Sequence, residues 1–152
     1  MLNFYFESLW EQYLHLTTEF SQLEKAKSAL VRQLTPCKNL MDLEGVAEIG
    51  SGMLYPTIGD GKQFDSGPQG SAFVGVTPKQ HSSGGKTNMT AIIKNGGFKE
   101  LRCALYQGAL SYVSRLPEEH TTLKQAWLMQ LRERLSIKRT CIALANKTVR
   151  TA

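Results

Sequence analysis

The 152-residue sequence predicts a mostly α-helical fold: a long amino-terminal coiled-coil helix, then a compact helical domain with a helix-hairpin-helix-like element. Three observations lead there. Apolar residues recur at seven-residue intervals through the first segment. They recur at helical spacing again in the last third of the chain. Between these stretches, glycines and prolines mark turns rather than alternating strands.

The first element is the most regular. Leu2, Leu9, Leu16, Leu23 and Leu30 form one row, and Phe6, Tyr13, Phe20, Lys27 and Leu34 the other, broken only at Lys27. The alternating spacing of four and three puts both rows on one helical stripe, which predicts a coiled-coil helix over residues 1–36. It packs either on another helix or back on its own domain. Thr35-Pro36 ends it, because the residue before proline avoids helical geometry.

Residues 37–44 read as a short connector. In LEGVAEIGSGMLYPTIGDG, Gly45, Gly50 and Gly52 between apolar residues predict a tight turn joining two short helices, closed by Gly59-Asp60-Gly61. Helix-hairpin-helix modules bind phosphates through the amides of such a turn. Here Gly45-Val46-Ala47 has alanine in place of the second glycine, so a structural hairpin and a DNA contact both stay open. Residues 62–75 predict a turn and a short helix with Phe73 and Val74 inward. PKQHSSGGKTN, from Pro78, has no apolar periodicity and predicts an exposed loop, and Lys94-Asn95-Gly96-Gly97 a second turn. Phe98, Leu101, Leu105, Ala109, Tyr112, Val113 and Leu116 then line one helical face. After Pro117 a last helical region follows, with Leu123, Trp127, Leu131, Leu135, Ile142 and Leu144 toward a core.

Charge is unevenly divided. Residues 1–75 carry 5 Lys/Arg against 9 Asp/Glu, whereas residues 76–152 carry 13 against 4. A basic half on an acidic half fits a polyanion partner on one side, or a solvated basic surface. Arg132, Arg134, Lys138, Arg139, Lys147 and Arg150, opposed only by Glu133, would add salt-dependent affinity for phosphates. Cys37, Cys103 and Cys141 are far apart, which argues against structural zinc and disulfides and fits a reduced, cytoplasmic protein. No apolar run is long enough to span a membrane, and no signal peptide is evident.

The loop His81-Ser82-Ser83-Gly84-Gly85-Lys86 holds the candidate chemistry. Two glycines permit close backbone approach to a phosphate, and Lys86 supplies a cation. It is not a Walker A loop, because Gln80 stands where that motif needs glycine. It is not a nucleophile elbow either, because His81 stands where glycine is required. Ser83 as a nucleophile needs activation, for which His81, Lys79 and Lys86 are at hand.

Gly45-Val46, Ile58-Gly59-Asp60, Phe64, Ala72-Phe73-Val74-Gly75-Val76-Thr77-Pro78, the His81–Lys86 loop, Lys94 with Gly96, and Leu101-Arg102 occur in order. Together they resemble the carboxy-terminal domain of the DEDD-type insertion-sequence transposases (the IS-one-ten group). The resemblance covers about residues 40–152, with 1–36 resembling the linker helix before that domain. It implies DNA transposition and recombination, with Ser83 as the nucleophile on the DNA backbone and Ser82 as the fallback. By the same resemblance Lys79, His81, Ser82, Gly84, Gly85, Lys86, Lys94 and Arg102 meet DNA.

The resemblance further implies a homo-oligomer on double-stranded DNA and an element-encoded structured guide RNA. It also implies magnesium held by four acidic residues of an amino-terminal RNase H-like domain. Those residues are not in this sequence, whose early carboxylates fall on the heptad helix or its connector. The chain is therefore expected to be a fragment, without a cofactor of its own and inactive alone. The rival expectation is a non-enzymatic nucleic-acid-binding or assembly module.

Overall fold

The computed structural model describes residues 2–83, 86–92, 96–117, 119 and 122–152, with residues 2, 79–83 and 86–91 described through their backbone. Seven helices and one two-stranded sheet make up the described residues: α1 Leu2–Gln33, α2 Thr35–Met41, α3 Glu48–Ile58, α4 Gly67–Val74, β1 Pro78–Ser83, β2 Lys86–Ile92, α5 Lys99–Ser114, α6 Leu123–Arg134 and α7 Ile137–Thr151. The fold is mostly helical, as the apolar periodicity predicts. Among the described residues no helix is long and apolar enough to cross a membrane.

α5 and α7 form the axis of the helical body. Leu101 and Leu105 of α5 pack with Ala145 and Val149 of α7 in one buried cluster. Ala109 and Val113 pack with Cys141 and Leu144 in a second. Early residues of one helix thus meet late residues of the other, so the two run antiparallel. α2, α3 and α4 close the first cluster through Leu40, Leu54, Ile58 and Val74. α6 closes the second through Leu128.

α1 is different. At 1.5 Å per residue its 32 residues span roughly 48 Å. Seven seam residues from Phe6 to Leu30 remain 58–69% exposed, so the helix does not fold back over its own domain. Only its last turns are anchored. Val31 is buried there, the Ser28 hydroxyl donates to Glu48 Oε2 at 2.5 Å, and Arg32 Nε pairs with Glu48 Oε1.

Five expectations need correction. Residues 37–44 are not mere connector, because Pro36 sits in the first turn of α2, where a missing N–H costs nothing. Cys37 and Leu40 of α2 are buried. Gly50 and Gly52 lie inside α3, which leaves Gly45, at φ +79°, as the glycine of the turn itself. Phe73 is 43% exposed, flanked by the rings of Phe64 and Phe98 at 5.3 and 5.2 Å, while Val74 carries the burial. Leu123 is almost wholly exposed; within the last helical region, which comprises α6 and α7, Leu128 is the core residue of α6.

The largest correction concerns the segment expected to be an exposed loop. It forms an antiparallel hairpin with Gln80 opposite Met89, His81 opposite Asn88, Ser82 opposite Thr87 and Ser83 opposite Lys86. Pro78 pairs with Ile92, so one residue of β1 faces two of β2 at a bulge beside the hairpin root. Its sequence, PKQHSSGGKTN, shows no apolar alternation, so periodicity could not reveal it. The available signal was the Gly-Gly pair between the paired ends, a dipeptide that two-residue hairpin connections favour.

Candidate nucleic-acid interface

The hairpin is held at its root by the helical body. α4 ends at Gly75, whose φ of +84° is the left-handed conformation that closes many helices. The return strand leads to Gly97, at φ +70°. Between them the Phe98 amide donates to the Val74 carbonyl at 3.3 Å. A β-carbon on Gly75 would lie 2.7 Å from the Arg102 guanidinium, and one on Gly97 would lie 2.5 Å from the Val74 carbonyl oxygen. Both glycines therefore answer two demands, a positive φ and a close approach.

Arg102, expected to meet DNA, is engaged at this root. Its guanidinium donates to the Gly96 carbonyl and lies against Gly75 and Gly97. On the other side Asn146 of α7 donates through Nδ2 to the Val76 carbonyl at 3.2 Å. Sequence reasoning missed Asn146, whose only signal was an amide next to the buried stripe of α7.

The pairing register sorts the candidate residues by face, because successive strand residues alternate and cross-strand partners share a side. Positions 81, 83, 86 and 88 belong to one face of the hairpin, and positions 80, 82, 87 and 89 to the other. Ser83 thus shares a face with His81 and Lys86, while Ser82 belongs to the opposite one. Lys79 lies at the bulge. Gly84, Gly85 and Lys94 fall outside the described residues, as do the side chains of Lys79, His81, Ser82, Ser83 and Lys86.

The helix-hairpin-helix-like turn, residues 42–47, lies against α5. A β-carbon on Gly108 would sit inside the shell of the Gly45 carbonyl oxygen, so the two backbones are in direct contact. Val46 is buried, and Glu44 pairs with Lys124 of α6. Gly45 therefore serves helix packing as well as turn geometry.

The basic carboxy-terminal arm is exposed along α6 and α7. Arg139, Lys147 and Arg150 line a groove of about 680 Å³ together with Trp127 and the hairpin-root residues Val76 and Pro78. Arg132, Arg134 and Lys138 do not line it. Burial raises the Cys141 thiol above its ordinary value and marks it as a core group. Among the described residues no three His, Cys, Asp or Glu side chains gather as a metal site.

Comparison with known proteins agrees with the motif order. Residues 37–125 match the transposase IS116/IS110/IS902 family. The transposase for insertion sequence element IS1111A of Coxiella burnetii is 33% identical over 91% of this chain and 38% of its own length. A putative transposase of Sinorhizobium fredii, y4pF/y4sB, is 33% identical over 93% of the chain and 36% of its own length. The pilin gene-inverting protein of Moraxella lacunata is 28% identical over 64% of the chain and 34% of its own length. The chain spans little more than a third of the length of these curated relatives. By the match over most of its helical body, and by these relatives, the chain belongs to the IS116/IS110/IS902 transposase family.

Proposed function

We propose that this chain is the serine-bearing, DNA-binding part of an insertion-sequence transposase. In this reading Ser83 Oγ attacks a phosphodiester of double-stranded DNA. An O–P bond to the serine forms, the bond from phosphorus to one sugar oxygen breaks, and that oxygen leaves as a hydroxyl. The hydroxyl proton of Ser83 passes to neutral His81, or to a neighbouring lysine in its neutral form, and that group returns a proton to the leaving sugar oxygen. Whichever of Lys86 and Lys79 is protonated steadies the negative charge that builds on the phosphoryl oxygens. The acidic metal-binding domain comes from outside these residues, so the chain alone is inactive.

The pairing register of the hairpin supports Ser83 over Ser82. Ser83 is the last residue of β1, opposite a lysine and two residues from a histidine on the same face. Ser82 pairs instead with Thr87. The experiment supplies a complete acidic domain in trans and looks for a covalent protein–DNA adduct. The adduct is expected to disappear in Ser83→Ala and persist in Ser82→Ala. The reverse pattern, or strand cleavage by the purified chain alone with magnesium, overturns the assignment. Duplex binding without any adduct would favour the rival assembly module.

The exposed seam of α1 favours self-association as a coiled coil. A contiguous apolar stripe of this length marks an interaction surface. Sedimentation of the full chain is expected to give a dimer or higher species that Leu16→Glu and Leu23→Glu together dissociate. A monomeric full chain removes this part of the reading.

A further inference from the structure

The groove between α6, α7 and the hairpin root has a composition that duplex contact alone does not explain. Arg139, Asn146 and Arg150 are separated by seven and four residues, so they fall close to one line along α7. That line is roughly 16 Å long at 1.5 Å per residue. Lys147 stands to one side of it, with Nζ 4.5 Å from the centre of the Trp127 ring. α7 contains no acidic residue, and among the described residues Arg139, Lys147 and Arg150 form no ion pair with a carboxylate. A half-buried indole, a row of cations and a hydrogen-bonded amide therefore share one concave surface.

A duplex keeps its bases stacked inward and presents phosphates on a convex ridge. It could reach the arginines but would leave the indole unused. A single strand offers phosphates and a free base face together, which matches a basic groove with an aromatic platform. We propose that this groove binds a single-stranded nucleic-acid segment without sequence preference. Arg139 and Arg150 hold its phosphates, and Trp127 stacks one base as Lys147 moves from the ring to the backbone. The proposal rests on the transposase reading only for nucleic acid as the partner class. Because the groove adjoins Val76 and Pro78, a strand lying in it runs toward the hairpin.

The test uses the full chain carrying Trp10→Phe, which leaves Trp127 as the sole tryptophan reporter. Short oligothymidylate and oligouridylate are titrated separately between about 50 and 200 mM salt. Quenching of Trp127 emission by either is expected, and the stronger quencher identifies the natural strand. Affinity should fall with salt, and Arg139→Gln and Arg150→Gln should each lower the salt slope by about 0.7. Trp127→Leu should weaken binding roughly tenfold. Trp127 also packs on the core, so Lys147→Gln, which removes an exposed cation and leaves the core untouched, supplies an independent variant with the same reduction in slope.

Three results would overturn the proposal: no quenching by either oligomer, equal quenching by the matching duplex, or arginine variants that bind like the parent. Ser83→Ala should leave strand binding intact. Loss of the adduct therefore tests the catalytic assignment, and loss of quenching tests the groove.

Discussion

α1 and α7 are written in the same amphipathic grammar and have opposite fates. α7 buries Cys141, Leu144, Ala145 and Val149 against α5 and α4 and turns its cations outward. α1 carries a longer and more regular apolar stripe and leaves nearly all of it in water. Periodicity declares that a helical face will be covered, and it does not say by what. For α7 the cover is in the same chain. For α1, among the described residues, only α2 and α3 at its last turns provide any.

The sharpest way to break this contrast is to remove the same side chain from each helix. Leu144→Ala should cost about 2–5 kcal/mol of stability, because the wholly buried site would be left as a cavity. Leu16→Ala should change the stability of the dilute chain by no more than about 0.5 kcal/mol. Denaturant titration of both variants at low concentration checks the pair. Equal losses would mean that the α1 stripe is covered after all.

Gly108→Ala sharpens the contrast on the buried side. In an exposed helix this change gains up to about 1 kcal/mol. Here the methyl group would press on the Gly45 carbonyl, so a loss of about 1–3 kcal/mol is expected. A thermal melt reads the sign directly.

The smallest effect concerns the strut beneath α1. The Ser28 hydroxyl, and then Arg32, hold the Glu48 carboxyl below its ordinary value. Its contribution is therefore complete above the ordinary carboxylate range and is lost as pH falls through the lowered folded value. Acidification, or Glu48→Gln at neutral pH, should speed amide exchange in residues 24–33 before it touches α5. The site is exposed, so the effect should be modest and weaken with salt. Uniform exchange across both helices would show that the strut does not set the hold on α1.

The helices were legible to the degree that burial imposed a period. The heptads of α1 and the stripe of α5 announced themselves, because residues spaced by a turn must meet one neighbour. α6 misled, because Leu123, Trp127, Leu131 and Leu135 form a regular row while the buried residue is Leu128. Two stripes one position apart satisfy the same spacing, and only the neighbouring helix chooses between them. The hairpin left no period, since its sequence has no alternation of apolar and polar residues. Its candidate residues were found by residue chemistry and motif order, whereas the separation of Ser82 from Ser83 needed a register. The bond of Asn146 to Val76, and the groove that Trp127 shares with Pro78, join segments far apart in sequence, which no local pattern connects.

The clasp at the hairpin root has a consequence for how this chain can change. The path leaves the helical body at Val74 and returns at Phe98 within one hydrogen bond, with Gly75 and Gly97 turning it on either side. Val76 stays with the helical core, and the residues beyond it form a cassette whose ends are already closed, so its length adds little entropy to folding the rest. A hairpin of different length or composition could be spliced onto the same two glycines while every helix kept its place. The helical scaffold and the hairpin are thus free to diversify separately.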